Sequence, residues 1–143
     1  MSDMEFEPLK LENQLCFPLY AASREVVKLY RPHLDKLNLT YTQYIAMMVL
    51  WAQRRCSVKE LGKKLYLDSG TLTPVLKSLE QKGFIRRFRS ESDERVLLAE
   101  LTDDGEALKK SAEEIPGTVG ACLNLSPGEA VQLYALLKKL LEK

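Results

Sequence analysis

The chain has one histidine and three cysteines in 143 residues, and each scarcity removes a class of function. With His33 alone, no Cys–His catalytic pair and no cluster with metal-ligand spacing can be drawn. His33 falls in a short polar stretch and reads as a surface residue. Neither a phosphate-binding glycine loop nor a paired-carboxylate signature is present, so no catalytic residue, metal or cofactor is expected. An odd number of cysteines argues against a secreted disulfide framework and for a reducing cytoplasm. Long apolar runs are also missing. The longest, Ile45 to Ala52, is far too short to span a bilayer, so no membrane partner is expected. Met1 to Glu12 is acidic and lacks a basic start with an apolar stretch, so no signal peptide is expected.

Net charge is nearly absent too, at +1 from 21 basic and 20 acidic residues. That balance averages unlike parts. Residues 54–95 carry eleven basic residues against six acidic ones, a net +5, whereas 1–53 sum to −1 and 96–143 to −3. A basic module on a near-neutral chain fits a nucleic-acid footprint, with an ordinary solvated surface as the plain alternative.

Leu11, Leu15, Leu19 and Val26 recur near helical spacing, and Cys16, Tyr20, Ser23, Val27 and Tyr30 share a second face of the same predicted helix. Arg31-Pro32 is expected to stop it and Pro32 to open a short helix through Leu37. Pro18, two residues after Cys16, requires either a bend there or a later helix start. Thr40 and Gln43 form a capping-box pair before Tyr44, Met47, Met48 and Trp51, a helix running to about Arg54. Ser57 and Glu60 form another before Val58, Leu61 and Leu65. After a turn at Tyr66–Gly70, with Asp68 or Ser69 as cap, Leu72, Val75, Leu76 and Leu79 mark a helix ending at Gly83. Pro74 is expected near the end of its first turn. Phe84 to Arg89 and Val96 to Leu101 read as two strands joined by a polar turn. Thr102 caps a long helix from about Asp103 to Gly120, and Ser126 with Glu129 caps the last one, which carries Val131, Leu133, Tyr134, Leu136, Leu137, Leu140 and Leu141.

Two short helices, then a basic hairpin, make a winged helix-turn-helix. The predicted fold is mainly α with a small β-hairpin. Ser69, Thr71, Thr73 and Lys77 on the second helix, and Arg87, Arg89, Asp93 and Arg95 on the wing, are the expected DNA-binding group. A single domain over 1–143 is expected. It divides into dimerisation and sensor helices (1–53), the winged helix-turn-helix (54–101) and C-terminal dimerisation helices (102–143). The terminal stripes would stay wet on one copy. A homodimer on a pseudo-palindromic double-stranded operator follows, with half-sites about 34–36 Å apart.

The wing Ser90-Glu91-Ser92-Asp93-Glu94-Arg95 followed by Leu101-Thr102-Asp103-Asp104-Gly105 resembles the MarR family of transcriptional regulators, over nearly the whole chain. More narrowly, Leu11-Glu12-Asn13-Gln14-Leu15-Cys16-Phe17, Tyr20 and the run Leu65 to Pro74 resemble the organic-hydroperoxide-sensing OhrR branch. The resemblance implies a repressor whose reactive thiol is Cys16, with Tyr20, Tyr30 and Tyr41 around it, the last two from the partner subunit. Phenol donors can hydrogen-bond a thiolate and raise its reactive fraction. Peroxide would then yield a sulfenic acid. By the same resemblance Cys122 is the candidate resolving thiol, with an inert interface cysteine as the alternative. A bridge needs Cα atoms within about 7 Å, and without it a small cellular thiol can cap Cys16. Cys56 has no implied role and reads as structural. Two other readings stay open in the sequence: a MarR-type repressor released by a small phenolic or antibiotic ligand, and, more distantly, a thiol peroxidase.

Overall fold

The computed structural model describes residues 7–142, so the first half of the acidic N-terminal stretch lies outside the described residues. After a 3-10 turn at Leu11–Asn13, the elements are α1 (Cys16–Asp35), α2 (Tyr41–Gln53), β1 (Arg55–Ser57), α3 (Val58–Leu65) and α4 (Ser69–Gln81). They are followed by β2 (Ile85–Arg89), β3 (Leu97–Leu101), α5 (Asp103–Ala112), α6 (Ile115–Gly120) and α7 (Pro127–Leu141). The mainly helical architecture with a winged hairpin is as expected.

Local caps set most boundaries. Thr40 Oγ1 accepts from the Gln43 N–H and Gln43 returns its side chain to the Thr40 N–H, a complete capping box; Ser126 and Glu129 form a second. At α3 only half of the expected box forms: Ser57 accepts from the Glu60 N–H. Asp68, not Ser69, caps α4, and Gly83 follows its C-cap with φ +83°.

Four expectations need correction. First, α1 starts at Cys16, which leaves Leu11 and Leu15 outside it and puts Pro18 in the first turn. There its missing N–H has no intrahelical role, so the later-start alternative holds. Second, Pro32 neither stops α1 nor opens a new helix. It costs the Lys28 carbonyl its donor, but both residues are exposed and water can replace it, while Leu34 beyond is anchored in the core at 2% exposure. Pro74 lies past the first turn of α4 and is tolerated in the same way, opposite the exposed Gly70 carbonyl. Third, the long helix after Thr102 breaks at Glu113–Glu114, because Pro116 cannot donate back to Ala112. Fourth, the hairpin gains a third strand. β1 pairs antiparallel with β3, giving the order β1-β3-β2 with Cys56 and Arg87 both opposite Ala99.

α2 is the spine of the core. Ala46, Met47 and Leu50 are fully buried together with Leu61 of α3, Leu76 and Leu79 of α4, and Ala99 of β3. Leu34, Ala112, Ile115 and Val119 extend this core to α1 and α6. By contrast, α7 has no buried residue, and Leu34 is the only one on α1.

Candidate functional site: a thiol arm and a nucleic-acid interface

Cys16 is the first helical residue of α1 and is exposed, as is Cys122. The free N–H groups of a helix start carry the positive end of its dipole, which favours a nearby anion; Pro18 removes one of those donors here. Around the thiol the surface is apolar and uncovered, with Leu15 81% exposed and Phe17 and Leu19 each over 40%. Tyr20 is exposed one turn on, with the Arg24 guanidinium 5.3 Å from its ring centre.

Tyr30 and Tyr41 are elsewhere. Their rings meet edge to face at 5.0 Å, and Tyr44 stands 5.6 Å from Tyr30. Tyr30 shares a helix with Cys16 but lies fourteen residues along it, about 21 Å at 1.5 Å per residue. One chain therefore does not bring the thiol and these two tyrosines together. Cys122 is also apart. Its Sγ contacts the Thr118 carbonyl at 3.5 Å, next to α6, whose buried Ile115 and Val119 pack at the Leu34 end of α1. An intrachain Cys16–Cys122 bridge does not fit this conformation. Cys56, in β1, is 5% exposed, and burial pushes its thiol pKa up, as suits a structural residue.

Burial also raises Tyr30 and Tyr41, and pushes Tyr44 up to about 12. These phenols stay protonated in the fold above the ordinary value of about 10. The stability they confer is complete below that pH and lost as pH rises towards 12. In an absorbance titration Tyr30, Tyr41 and Tyr44 should ionise late, Tyr44 last. If all six tyrosines ionise together, the cluster is not formed in solution.

At the other end, Ser69, Thr71, Thr73 and Lys77 are all exposed on α4. The helix start is less open to phosphate than the sequence suggests. Asp68 Oδ1 takes the Thr71 N–H at 2.7 Å, which also holds that carboxyl below its usual range, and the Thr73 hydroxyl donates back to Ser69. An open groove runs between α3, the start of α4 and the wing. Lys59, Lys63 and Arg95 border it, and Tyr66, Leu72 and Leu97 line it.

The wing arginines are not equivalent. Arg87 turns under α4, where its guanidinium and its backbone N–H all bond Glu80, so it is not free in this conformation to reach DNA. Arg95 lies in the turn, before β3 begins, and is 92% exposed beside Asp93, whose carboxylate it holds low. Arg89 and Lys77 are exposed, and among the described residues neither enters an ion pair. On the outer sheet face Glu100 bridges Arg55 and Arg86, both opposite it in register, and Arg86 also stacks 4.5 Å from the Phe88 ring centre. No sequence pattern singles out Glu80 or Glu100. Their roles depend on register between segments, which no local pattern encodes.

Residues 28–112 match the family model described as transcriptional regulator SarA/Rot. The organic hydroperoxide resistance transcriptional regulator of Bacillus subtilis is 54% identical over 138 residues, covering 96% of this chain and 94% of that one. This chain belongs to the MarR family, in its OhrR branch. The MarR regulator of E. coli, solved with operator DNA, shares the fold at TM-score 0.84 and 26% identity, covering 96% of this chain and 100% of that one. AbfR of Staphylococcus epidermidis, solved overoxidised and bound to DNA, is 37% identical at TM-score 0.77, covering 92% of each chain. Further AbfR structures hold the reduced protein on DNA and a disulfide-formed state. Like these MarR-family relatives, the chain is a regulator and not an enzyme, so the thiol-peroxidase reading falls. Among the described residues no helix is long and apolar enough to cross a membrane.

Proposed function

We propose that this MarR-family protein is a redox-sensing transcriptional repressor. A homodimer of it holds a pseudo-palindromic operator in the reduced state and releases it after an organic hydroperoxide oxidises Cys16. The supporting observation is the separation of Cys16 from Tyr30 and Tyr41 in a chain so similar to an organic hydroperoxide resistance regulator. Two-fold pairing of the uncovered arms would bring the thiol of one copy against the tyrosines of the other. It would also cover α7, where Val131 and Tyr134 are 70% and 67% exposed.

The Cys16 thiolate attacks the terminal oxygen of the hydroperoxide. An S–O bond forms, the O–O bond breaks, and the alkoxide leaves as an alcohol after taking a proton. Cys122 of the partner subunit, or a small cellular thiol, then attacks the sulfenic sulfur. An S–S bond forms and the hydroxyl leaves as water. AbfR has been solved on DNA both reduced and overoxidised. We therefore assign release to the disulfide and not to oxygen on sulfur as such. Ser69, Thr71, Thr73 and Lys77, with Arg89, Asp93 and Arg95, are the proposed DNA-reading group; Arg87 serves through Glu80.

Gel shifts on the promoter beside the chain's own gene, with reduced, peroxide-treated and Cys16→Ser protein, test the reading. Continued release by the thiol variant would instead favour a ligand-released repressor, for which the groove beside α4 is the site. Assembly is checked separately. Val131→Lys with Tyr134→Lys should be monomeric by light scattering, keep its helix content and lose operator binding. A persisting dimer would remove α7 from the interface.

A further inference from the structure

Gln43 is the one polar side chain buried among the described residues, at 4% exposure. A capping residue at this position needs only to reach its cap, and burial is not part of that role. Gln43 does more. Its Oε1 accepts from the Thr40 N–H at 3.0 Å and from Lys82 Nζ at 2.9 Å, and its Nε2 donates to Ser78 Oγ at 2.9 Å. Lys82 Nζ also donates to the Asn38 carbonyl at 2.6 Å. Asn38 and Thr40 belong to the turn between α1 and α2, whereas Ser78 and Lys82 lie at the C-terminal end of α4. This small network joins the turn between α1 and α2, part of the proposed dimer arm, to α4, the proposed DNA-reading helix. Burying it is costly unless every partner is met, and a fully met network fixes one relative orientation.

Tyr41, proposed above to contact the partner's thiol, is two residues from Gln43 in the same turn of α2. We propose that Gln43, held between Lys82 and Ser78, is a positioning residue that carries the redox state of the arm to α4. A shift of the first turn of α2 pulls on Ser78 and Lys82. α4 is a rigid rod of 13 residues, about 20 Å long, so moving its C-terminal end re-aims Ser69 and Thr71 at the other. Hydrophobic contacts of α2 with α4 can slide; this bidentate polar joint cannot slide without losing its hydrogen bonds. Lys82 is partly desolvated there, which lowers its pKa.

This proposal rests on the redox reading, and one titration separates the two. The quantity read is the ratio of operator affinities, reduced over disulfide-oxidised, using cumene hydroperoxide as oxidant. Gln43→Met keeps the side-chain length without its polar atoms. It should shrink the ratio by about tenfold, with Cys16 oxidation, followed by thiol labelling, as fast as in wild type. Gln43→Glu keeps acceptors for Thr40, Lys82 and the Ser78 hydroxyl, so it should restore the ratio. A merely structural role would lower the melting temperature and leave the ratio in place. A Gln43→Met ratio within about twofold of wild type overturns the proposal. If Gln43→Met does not fold, Lys82→Met and Ser78→Ala, which leave the capping box intact, decide it: an unchanged ratio in both overturns it. If wild type itself keeps its DNA on oxidation, the redox reading fails first and this inference with it.

Discussion

Cys16→Ser should bind the operator as tightly as the reduced wild type and keep it after organic hydroperoxide treatment, while oxidised wild type loses affinity by about 100-fold. That factor corresponds to roughly 2.7 kcal/mol of differential affinity between the two states, and no conformational change releases DNA without such a difference. Three thiols compete for the role, and their surroundings separate them. Cys56 is buried with its pKa pushed up, so a Cys56→Ser variant should respond to peroxide as wild type does. Cys122 is exposed but sits at the other end of the arm, beside Thr118. Cys122→Ser should still lose one thiol to peroxide, yet release DNA only when a small thiol is supplied. Nonreducing mass analysis should find wild-type chains covalently paired, and dithiothreitol should restore binding. Excess peroxide, which carries Cys16 past the sulfenic stage, should leave protein on the DNA. Release by Cys16→Ser at wild-type peroxide levels would sink the sensor assignment. Absence of a covalent pair would remove Cys122 and leave the small-thiol route.

Gly105→Ala should cost about 3 kcal/mol or more and lower the melting temperature by about 10 °C. The reason lies where three elements meet. Thr102 donates its hydroxyl to the Gly83 carbonyl at 2.6 Å and accepts the Gly105 N–H at 3.1 Å, which brings the first turn of α5 down on the start of β2. The Gly105 carbonyl takes the Trp51 indole N–H at 2.9 Å, tying α5 to α2. A Cβ on Gly105 would run into the Phe84 carbonyl oxygen and lie 2.9 Å from Leu101 Cδ1. Backbone cannot step aside there without breaking the Thr102 N–H bond to that same Phe84 oxygen. Gly117→Ala is the control. Nothing lies within 4 Å of its Cβ, and alanine favours helix, so that variant should melt no lower than wild type. Equal melting of the two variants would show that the close approach of α5 to β2 does not exist in solution. The Leu-Thr-Asp-Asp-Gly run of the family motif thus has a packing reason at its glycine.

What was legible in the sequence follows from range. The caps at Thr40, Thr102 and Ser126 are legible because each depends on a residue three positions on, whereas the sequence leaves Asp68 and Ser69 open at α4 and the fold selects Asp68. The charge segregation is a sum along the chain, and the winged helix-turn-helix order follows from the succession of helical and strand periodicities, so both are legible without tertiary contacts. Helix ends at prolines are less legible. Pro32 and Pro116 look alike in the sequence, yet α1 passes through the first and the long helix breaks before the second. Buried Leu34 holds the chain helical beyond Pro32, and that is a tertiary fact.

By itself the sequence determined the family, the winged helix-turn-helix order and the identity of the sensor thiol candidate, since each rests on short-range spacing or on quoted motif residues. Only the tertiary structure decided that β1 completes a three-stranded sheet, that Arg87 is committed to Glu80 while Arg89 is not, and that a buried Gln43 joins arm to reading helix. The physical reason is common to all three. Ion pairs, buried amides and strand register join segments far apart in the chain, and their partners are chosen by packing, which local sequence does not encode.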